Sequence, residues 1–442
     1  MTSAPWSLAA ILVAGFVLRL ATVVSFQGAI DPEGSEYARI AENLLAGNGY
    51  VGIATPGKQL MFPPFFPLAI AAASPLTGQA ELAGRLLSLL MGTLLVVTVY
   101  LVALHLYDRT TANVAALLVA VHPYLIGFSS TVYCETTYLT LALLGVYFSF
   151  RGLREPRAGA FALGGVFFGL AYLTRPEAAL YPLIVLAVTL TYVFVTDRRA
   201  FRRVASRAIW QPVAFVALAL PYVLWLHAQT GDWRLEGKTP QNYTAGFRML
   251  TGATLEEAEF GVGPDLTEHG VRIISNLSAI QTTALHADDL WVYLRGRTKV
   301  SLKYLLDLPS LAAFGSPALF FFALYGLFSQ PWHRELAAYQ LVLLAILGAT
   351  AAALLFAFFM TDRFLLLFVP VLVVWAAKGI GELARWASAT LRLLRAGSES
   401  FPRTERALVL ILAAVIPVTA LPGAYHLHRA GAASPCGRRE SG

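Results

Sequence analysis

Long apolar runs separated by short, arginine-rich turns dominate the polarity pattern of the chain. A membrane-crossing helix needs about 20 mostly apolar residues. Eleven windows meet that requirement: 6–26, 82–106, 111–129, 132–150, 158–174, 176–196, 208–228, 309–329, 335–359, 364–382 and 406–424. The pattern predicts an all-α polytopic membrane protein of about eleven transmembrane helices. The first window lies where a signal peptide would, but no Lys or Arg precedes its apolar run, and many spans follow. It reads as a retained span.

Composition agrees. Of 442 residues, 57% are hydrophobic and 13% charged, against about 25% charged in a soluble domain. Too few charged groups remain to cover several soluble domains, and the aromatic content excludes a disordered chain. The 2 cysteines, Cys134 and Cys436, are too few and too far apart in sequence for a disulfide framework or a four-ligand zinc site. The net charge of +7 raises the question of nucleic acid, which the placement of the basic residues answers.

Lys and Arg of short loops stay on the cytoplasmic side. With the N-terminus inside, the internal connections carry Arg109; Arg151, Arg154 and Arg157; Arg198, Arg199, Arg202, Arg203 and Arg207; Arg334; and Arg385, Arg392, Arg395, Arg403 and Arg406. The short external loops hold Arg175 and Arg363. Spread over the loops of one face, these arginines make no contiguous stripe for nucleic acid. The expected location is the cell's inner membrane, with the N-terminus cytoplasmic. The long segments 27–81 and 229–308 then face outward, the second as a small cap over the bundle. Residues 1–385 read as one membrane module. Residues 386–442 read as a basic internal linker, a last span and a short external tail.

The outer segments hold the candidate chemistry. Asp31 before Pro32 is a helix-start signal, and Tyr37, Ile40, Ala41 and Leu44 share one face of the helix that follows, which Gly47 ends. Asp31, Glu33 and Glu36 cluster at its start, with Glu33 four residues before Tyr37. Such acids either cap the helix or act on a substrate; a cap needs one carboxylate, which leaves the others to explain. Lys58 leads into Phe62-Pro-Pro-Phe-Phe-Pro67, whose prolines predict an extended turn, either an interfacial anchor or a pocket wall with Lys58 at its mouth. Glu135 stands at the outer start of the fourth window, where an acid is costly and marks a functional site by default. Arg175 with Glu177, and Arg363, occupy outer turns, while Arg19 and Arg85 are expected to snorkel outward from helix ends. Guanidinium forks at the outer openings suit an anionic lipid headgroup. His122, before Pro123, reads as a hydrogen-bonded interfacial side chain. No phosphate-binding glycine loop, His-Glu-x-x-His or Gly-x-Ser-x-Gly occurs, so a transferred group must arrive already activated.

The combination Asp31-x-Glu33-x-x-x-Tyr37, Phe62-Pro-Pro-x-x-Pro67, Arg85-Leu-Leu-Ser-Leu, Leu173-Thr-Arg-Pro-Glu177 and Arg363-Phe-Leu resembles the GT-C integral-membrane glycosyltransferases. The nearest types are the protein O-mannosyltransferases and lipid A aminoarabinose transferases, and the resemblance runs over about residues 6–385. It implies an extracytoplasmic enzyme taking sugar from a polyprenyl-phosphate donor to a lipid, glycan or protein acceptor. It also implies an acid ahead of Tyr37 (Glu33 or Asp31), a second acid at Glu135, and phosphate-binding cations at Arg175 and Arg363. Arg85 and Lys58 are further candidates, with Tyr37, Glu36 and Glu177 in support. A divalent cation held by Asp31, Glu33 and Glu135 is left open. The rival reading is a transporter or flippase for anionic lipid, although the charges here avoid mid-span positions where transporters keep theirs. A polysaccharide polymerase or ligase of related architecture is a second rival.

Overall fold

The computed structural model describes residues 7–25, 30–53, 57–238, 317–356, 362–394 and 407–418, with residues 298 and 405 singly. A helix stands in each of the eleven windows: α1 (Leu8–Ser25), α4 (Ala80–Leu106), α5 (Arg109–Val121), α7 (Glu135–Arg154), α8 (Ala158–Tyr172), α9 (Tyr181–Thr196), α11 (Trp210–Thr230), α12 (Pro317–Phe328), α13 (Arg334–Phe356), α15 (Val369–Leu394) and α16 (Ala407–Val418). Among the described residues, five stretches are both long and apolar enough to cross a membrane on length and composition. Most of the expected cap, the middle of the expected linker and the tail lie outside the described residues.

Five further helices join them: α2 (Pro32–Leu45), α3 (Phe65–Thr77), α6 (Pro123–Phe128), α10 (Arg198–Ala208) and α14 (Asp362–Leu365). Helix α2 is the expected helix of the first external segment. Tyr37, Ile40 and Ala41 are buried in a cluster with Phe62, Phe66, Ile70 and Val132, and Gly47 follows the last turn with φ 78°. The proline-rich stretch departs from expectation. Only its first part is extended; Pro64 caps α3, and Pro67 is tolerated in that helix's first turn, where its missing N–H would have no helical partner. The internal connection at 198–208 is also helical, capped by Asp197, with Val204 and Ala208 buried and the arginines outward. Helix α15 runs through the expected boundary at 385, so the linker begins as helix.

Arg19 overturns the snorkelling expectation. It is fully buried and donates to the carbonyls of Val119 at 3.1 Å, Ala120 at 3.0 Å and Gly15 at 3.0 Å, and to Ser129 Oγ at 3.2 Å. The cause lies four residues beyond Val119: Pro123 has no N–H, so the Val119 carbonyl loses its helical donor. A membrane interior offers no water in exchange, and a guanidinium from α1 takes the place. His122 is buried and caps α6, accepting from the Leu125 amide at 3.5 Å.

The largest apolar cluster among the described residues runs through α4, α5, α7, α12, α13 and α15. A buried polar chain crosses it, in which Gln340 accepts from Trp375 Nε1 at 2.7 Å and donates to the Tyr107 hydroxyl at 2.6 Å. Helices α12 and α15 pack backbone to backbone: a Cβ on Gly379 would stand 2.1 Å from the Phe322 carbonyl oxygen. Membrane helices associate largely through such close contact of small residues. Gly379→Ala should therefore cost about 1–3 kcal/mol and lower the melting temperature in detergent. Gly348→Ala, with nothing within 4 Å of the new methyl, should leave it unchanged; equal melting of the two would contradict this packing.

Candidate active site

Asp31 caps α2 by accepting the Glu33 amide at 2.9 Å. That fixes the first turn and brings Glu33 over Tyr37, whose hydroxyl donates to Glu33 Oε1 at 2.6 Å. Two arginines from distant turns converge on the same place. Arg363, in α14, donates from Nη1 to Glu33 Oε2 at 2.8 Å and from Nη2 to Glu33 Oε1 at 2.9 Å, while its Nε bonds Glu135 Oε1. Arg175, in the turn after α8, donates from Nη1 to Glu135 Oε1 at 2.8 Å and from Nη2 to Glu177 Oε1 at 2.8 Å. Lys238 adds its Nζ at 3.7 Å from Glu33 Oε2. Three carboxylates thus face three cations.

Aromatic rings hold the guanidinium planes. Arg363 lies 4.5 Å from the Tyr133 ring centroid, Arg175 lies 5.2 Å from that of Phe364, and Lys238 sits over Phe62 at 5.2 Å. Glu135 is wholly buried behind the two arginines it joins. Glu33, Tyr37, Phe62, Cys134, Arg175, Glu177, Lys238 and Phe364 line a cavity of about 20 Å³, room for one water.

Charge decides the protonation states. Burial pushes the Glu33 carboxyl up, but Arg363, then Lys238, and the hydrogen bonds from Arg363 and Tyr37 prevail and hold it well below the usual carboxylate range. Burial lowers Arg363, and the carboxylates of Glu135 and Glu33 more than restore it, so it stays charged. Arg175 is held up against burial in the same way, by Glu177 and Glu135. With its folded value depressed, Glu33 contributes stability above the ordinary carboxylate range and loses it as the pH falls through that folded value.

Of the residues expected from sequence, the structure brings together Glu33, Tyr37, Glu135, Arg175, Glu177 and Arg363. Asp31 is exposed beside them as the cap, in reach of the Tyr133 hydroxyl. Glu36 faces the other way: buried, it accepts from Gln59 Nε2 at 2.6 Å and from the Ile53 amide, pinning the loop after α2. Arg85 pairs with Glu81 one turn away, and Lys58 is exposed on a bridge to Val51, so neither stands in the cluster. Sequence reasoning missed Lys238 and Tyr133. The signal for Lys238 was available: like Arg175 and Arg363, it is a basic residue close to a span end expected to face outward. Gly237 brings it in, because its backbone packs so closely on Leu60 that a Cβ would lie 2.1 Å from the Leu60 carbonyl oxygen.

Glu33 gives both carboxylate oxygens, and Glu135 its Oε1, to guanidinium groups, and among the described residues no group of three His, Cys, Asp or Glu is placed to hold a metal. Glu135 carries the arrangement. Glu135→Ala removes the buried anion between Arg175 and Arg363, and an uncompensated buried charge costs about 3–5 kcal/mol. Thermal unfolding should show a large loss, and an unchanged melting temperature would mean that Glu135 does not organise the two arginines.

Comparison with known proteins extends the picture. A family model for dolichyl-phosphate-mannose-protein mannosyltransferase matches residues 62–226. The undecaprenyl phosphate-alpha-4-amino-4-deoxy-L-arabinose arabinosyl transferase of Pseudomonas aeruginosa is 27% identical over 236 residues, covering 52% of this chain and 42% of that protein. The chain thus spans less than half the length of the curated relatives it matches. Among solved structures, the apo oligosaccharyltransferase of Archaeoglobus fulgidus superposes with TM-score 0.62 at 16% identity, over 95% of this chain and 56% of that one. ArnT of Cupriavidus metallidurans bound to undecaprenyl phosphate gives TM-score 0.54 at 14% identity, over 94% and 71%. The fold expected from the motifs is therefore met: this chain is a polytopic membrane protein with the GT-C fold.

Proposed function

We propose that the chain transfers a sugar from a polyprenyl-phosphate donor to an acceptor hydroxyl of a lipid, glycan or protein on the extracytoplasmic side of the membrane. One observation carries the reading: Glu33, Glu135, Arg175 and Arg363, from four separate elements, meet in one ionic cluster, and Glu33 and Arg175 of that cluster line a shared cavity. Transfer needs a base for the hydroxyl proton and cations for the phosphate that leaves. The cluster contains both within one hydrogen-bonded set.

In this scheme the acceptor oxygen attacks the anomeric carbon from the face opposite the phosphate. The carbon–oxygen bond to phosphate breaks, and polyprenyl phosphate leaves with the electron pair, stabilised by Arg175 and Arg363. Glu33 takes the hydroxyl proton. Direct displacement inverts the anomeric centre. Glu33 suits the base better than Asp31, because it lines the cavity while Asp31 is exposed and bonded to the helix end. Glu135, behind the arginines, positions them. Helix α7 supports the membrane orientation, since it carries Glu135 at one end and Arg151 and Arg154 in its last turn. The positive-inside rule then puts the acid end outside. A lipid transporter is disfavoured by the position of the ionic cluster at helix termini, away from mid-span. The names of the similar proteins point to both pentose and mannose donors, and the sugar stays open between them.

Transfer of radiolabelled sugar from polyprenyl-phosphate donors to membrane acceptors tests the assignment. Glu33→Gln should lower kcat by about 10²–10⁴, the range of a lost general base, while Asp31→Asn should keep activity within about threefold, as fits an exposed cap. Full activity in Glu33→Gln would exclude it as the base.

A further inference from the structure

Arg363 has two planar edges able to grip an oxyanion in a fork. The end-on pair, Nη1 and Nη2, is taken by Glu33 at 2.8 and 2.9 Å, and the side edge is tied through Nε to Glu135. The cavity that Glu33, Arg175 and Lys238 line, about 20 Å³, is too small for a phosphate group. An arriving phosphate must therefore displace something. Three possibilities differ in cost. Arg175 is committed to two carboxylates and is 8% exposed, so opening it strands a buried charge. Glu135 is fully buried and joins both arginines, so its loss dismantles the cluster. The Arg363–Glu33 fork is the accessible one: the two side chains are 20% and 14% exposed, and Glu33 keeps Tyr37 and Lys238 as partners when the fork opens.

Resting on the transferase reading above, we propose that the donor phosphate and Glu33 compete for the Nη fork of Arg363. The acid that serves as base is thereby masked in the empty protein and released by donor binding. Arg363 pivots on its Nε contact with Glu135, exchanging a carboxylate for a phosphate of similar bidentate geometry. The exchange explains how one site can hold a base and a phosphate cradle a single hydrogen bond apart without the base staying permanently neutralised. It also imposes an order, with donor first and the acceptor hydroxyl activated afterwards. Binding is linked in both directions, since whatever strengthens the Glu33–Arg363 fork weakens the hold on phosphate.

The test is equilibrium binding of undecaprenyl phosphate to the full chain in nanodiscs, with no acceptor present. Competition predicts that Glu33→Gln binds about tenfold more tightly than the unaltered protein, the equivalent of about 1.4 kcal/mol. Glu33→Asp keeps the charge but is one methylene shorter, and should tighten binding by about threefold. Asp31→Asn removes the same charge from the exposed cap of α2, outside the cluster, and should change affinity by less than about threefold. Arg363→Gln should weaken binding more than tenfold, by about 1.4 kcal/mol or more. Unchanged or weaker binding by Glu33→Gln, with a monodisperse and cooperatively melting protein, overturns the competition. So does equal tightening by Asp31→Asn, which would reduce the effect to bulk electrostatics. If the unaltered chain does not bind undecaprenyl phosphate at all, the donor assignment falls together with the competition. If it binds and Glu33 has no effect, the competition falls alone.

Discussion

The whole polar cluster at this end of the bundle depends on one buried carboxylate. Glu135 Oε1 joins Arg175 and Arg363, which come from turns far apart in the sequence and have no covalent reason to meet. An anion placed in a low-dielectric pocket is tolerated only if cations reach it, and the two guanidinium groups are the answer the fold provides. With those cations fixed, Glu33 has a partner, the α2 terminus has a position, and Lys238 has a carboxylate to approach. The ionic set sits on an apolar floor of Phe62, Phe364, Tyr138 and Tyr133, which keeps water scarce and the charges strongly coupled.

How much of this could be read from the amino-acid sequence varies with the physics involved. Apolar length is a local property, so each of the eleven windows holds a helix. Capping is local too: Asp31-Pro32 placed the start of α2 correctly, and the face bearing Tyr37, Ile40 and Ala41 is the buried one. The acid–arginine convergence was legible because arginines on the wrong side of a membrane need a reason to be there. What failed was anything set by a partner distant in sequence. Arg19 looked like a snorkelling side chain because nothing in its neighbourhood announces that Pro123 leaves a carbonyl without a donor a hundred residues later. Helix α3 was hidden by prolines that break a helix in its middle but open one at its start. Glu36 was grouped with Asp31 and Glu33 because the three acids cluster at the start of α2, yet its partners, Gln59 and the Ile53 amide, belong to the next loop.

The site and the basic surface lie at opposite ends of the same helices. Helix α7 begins with Glu135 and ends with Arg151 and Arg154; α9 leads from the Arg175–Glu177 turn to the arginines of α10. One set of side chains thus forms a basic helix end and the other builds the proposed site, without competing for the same charges.

The contact of α12 with α15 has a bearing on how the molecule is made. Gly326 and Gly379 let these helices touch backbone to backbone, and α15 follows directly on the short helix bearing Arg363. Synthesis delivers Glu33 and Glu135 to the bilayer long before that arginine exists. Until the last third of the chain has been inserted and this glycine seam has closed, Glu33 lacks its principal counter-ion and Glu135 has Arg175 alone. Maturation of the pocket is accordingly a late event, finished by the docking of α12 on α15 and not by the segments that supply the acids.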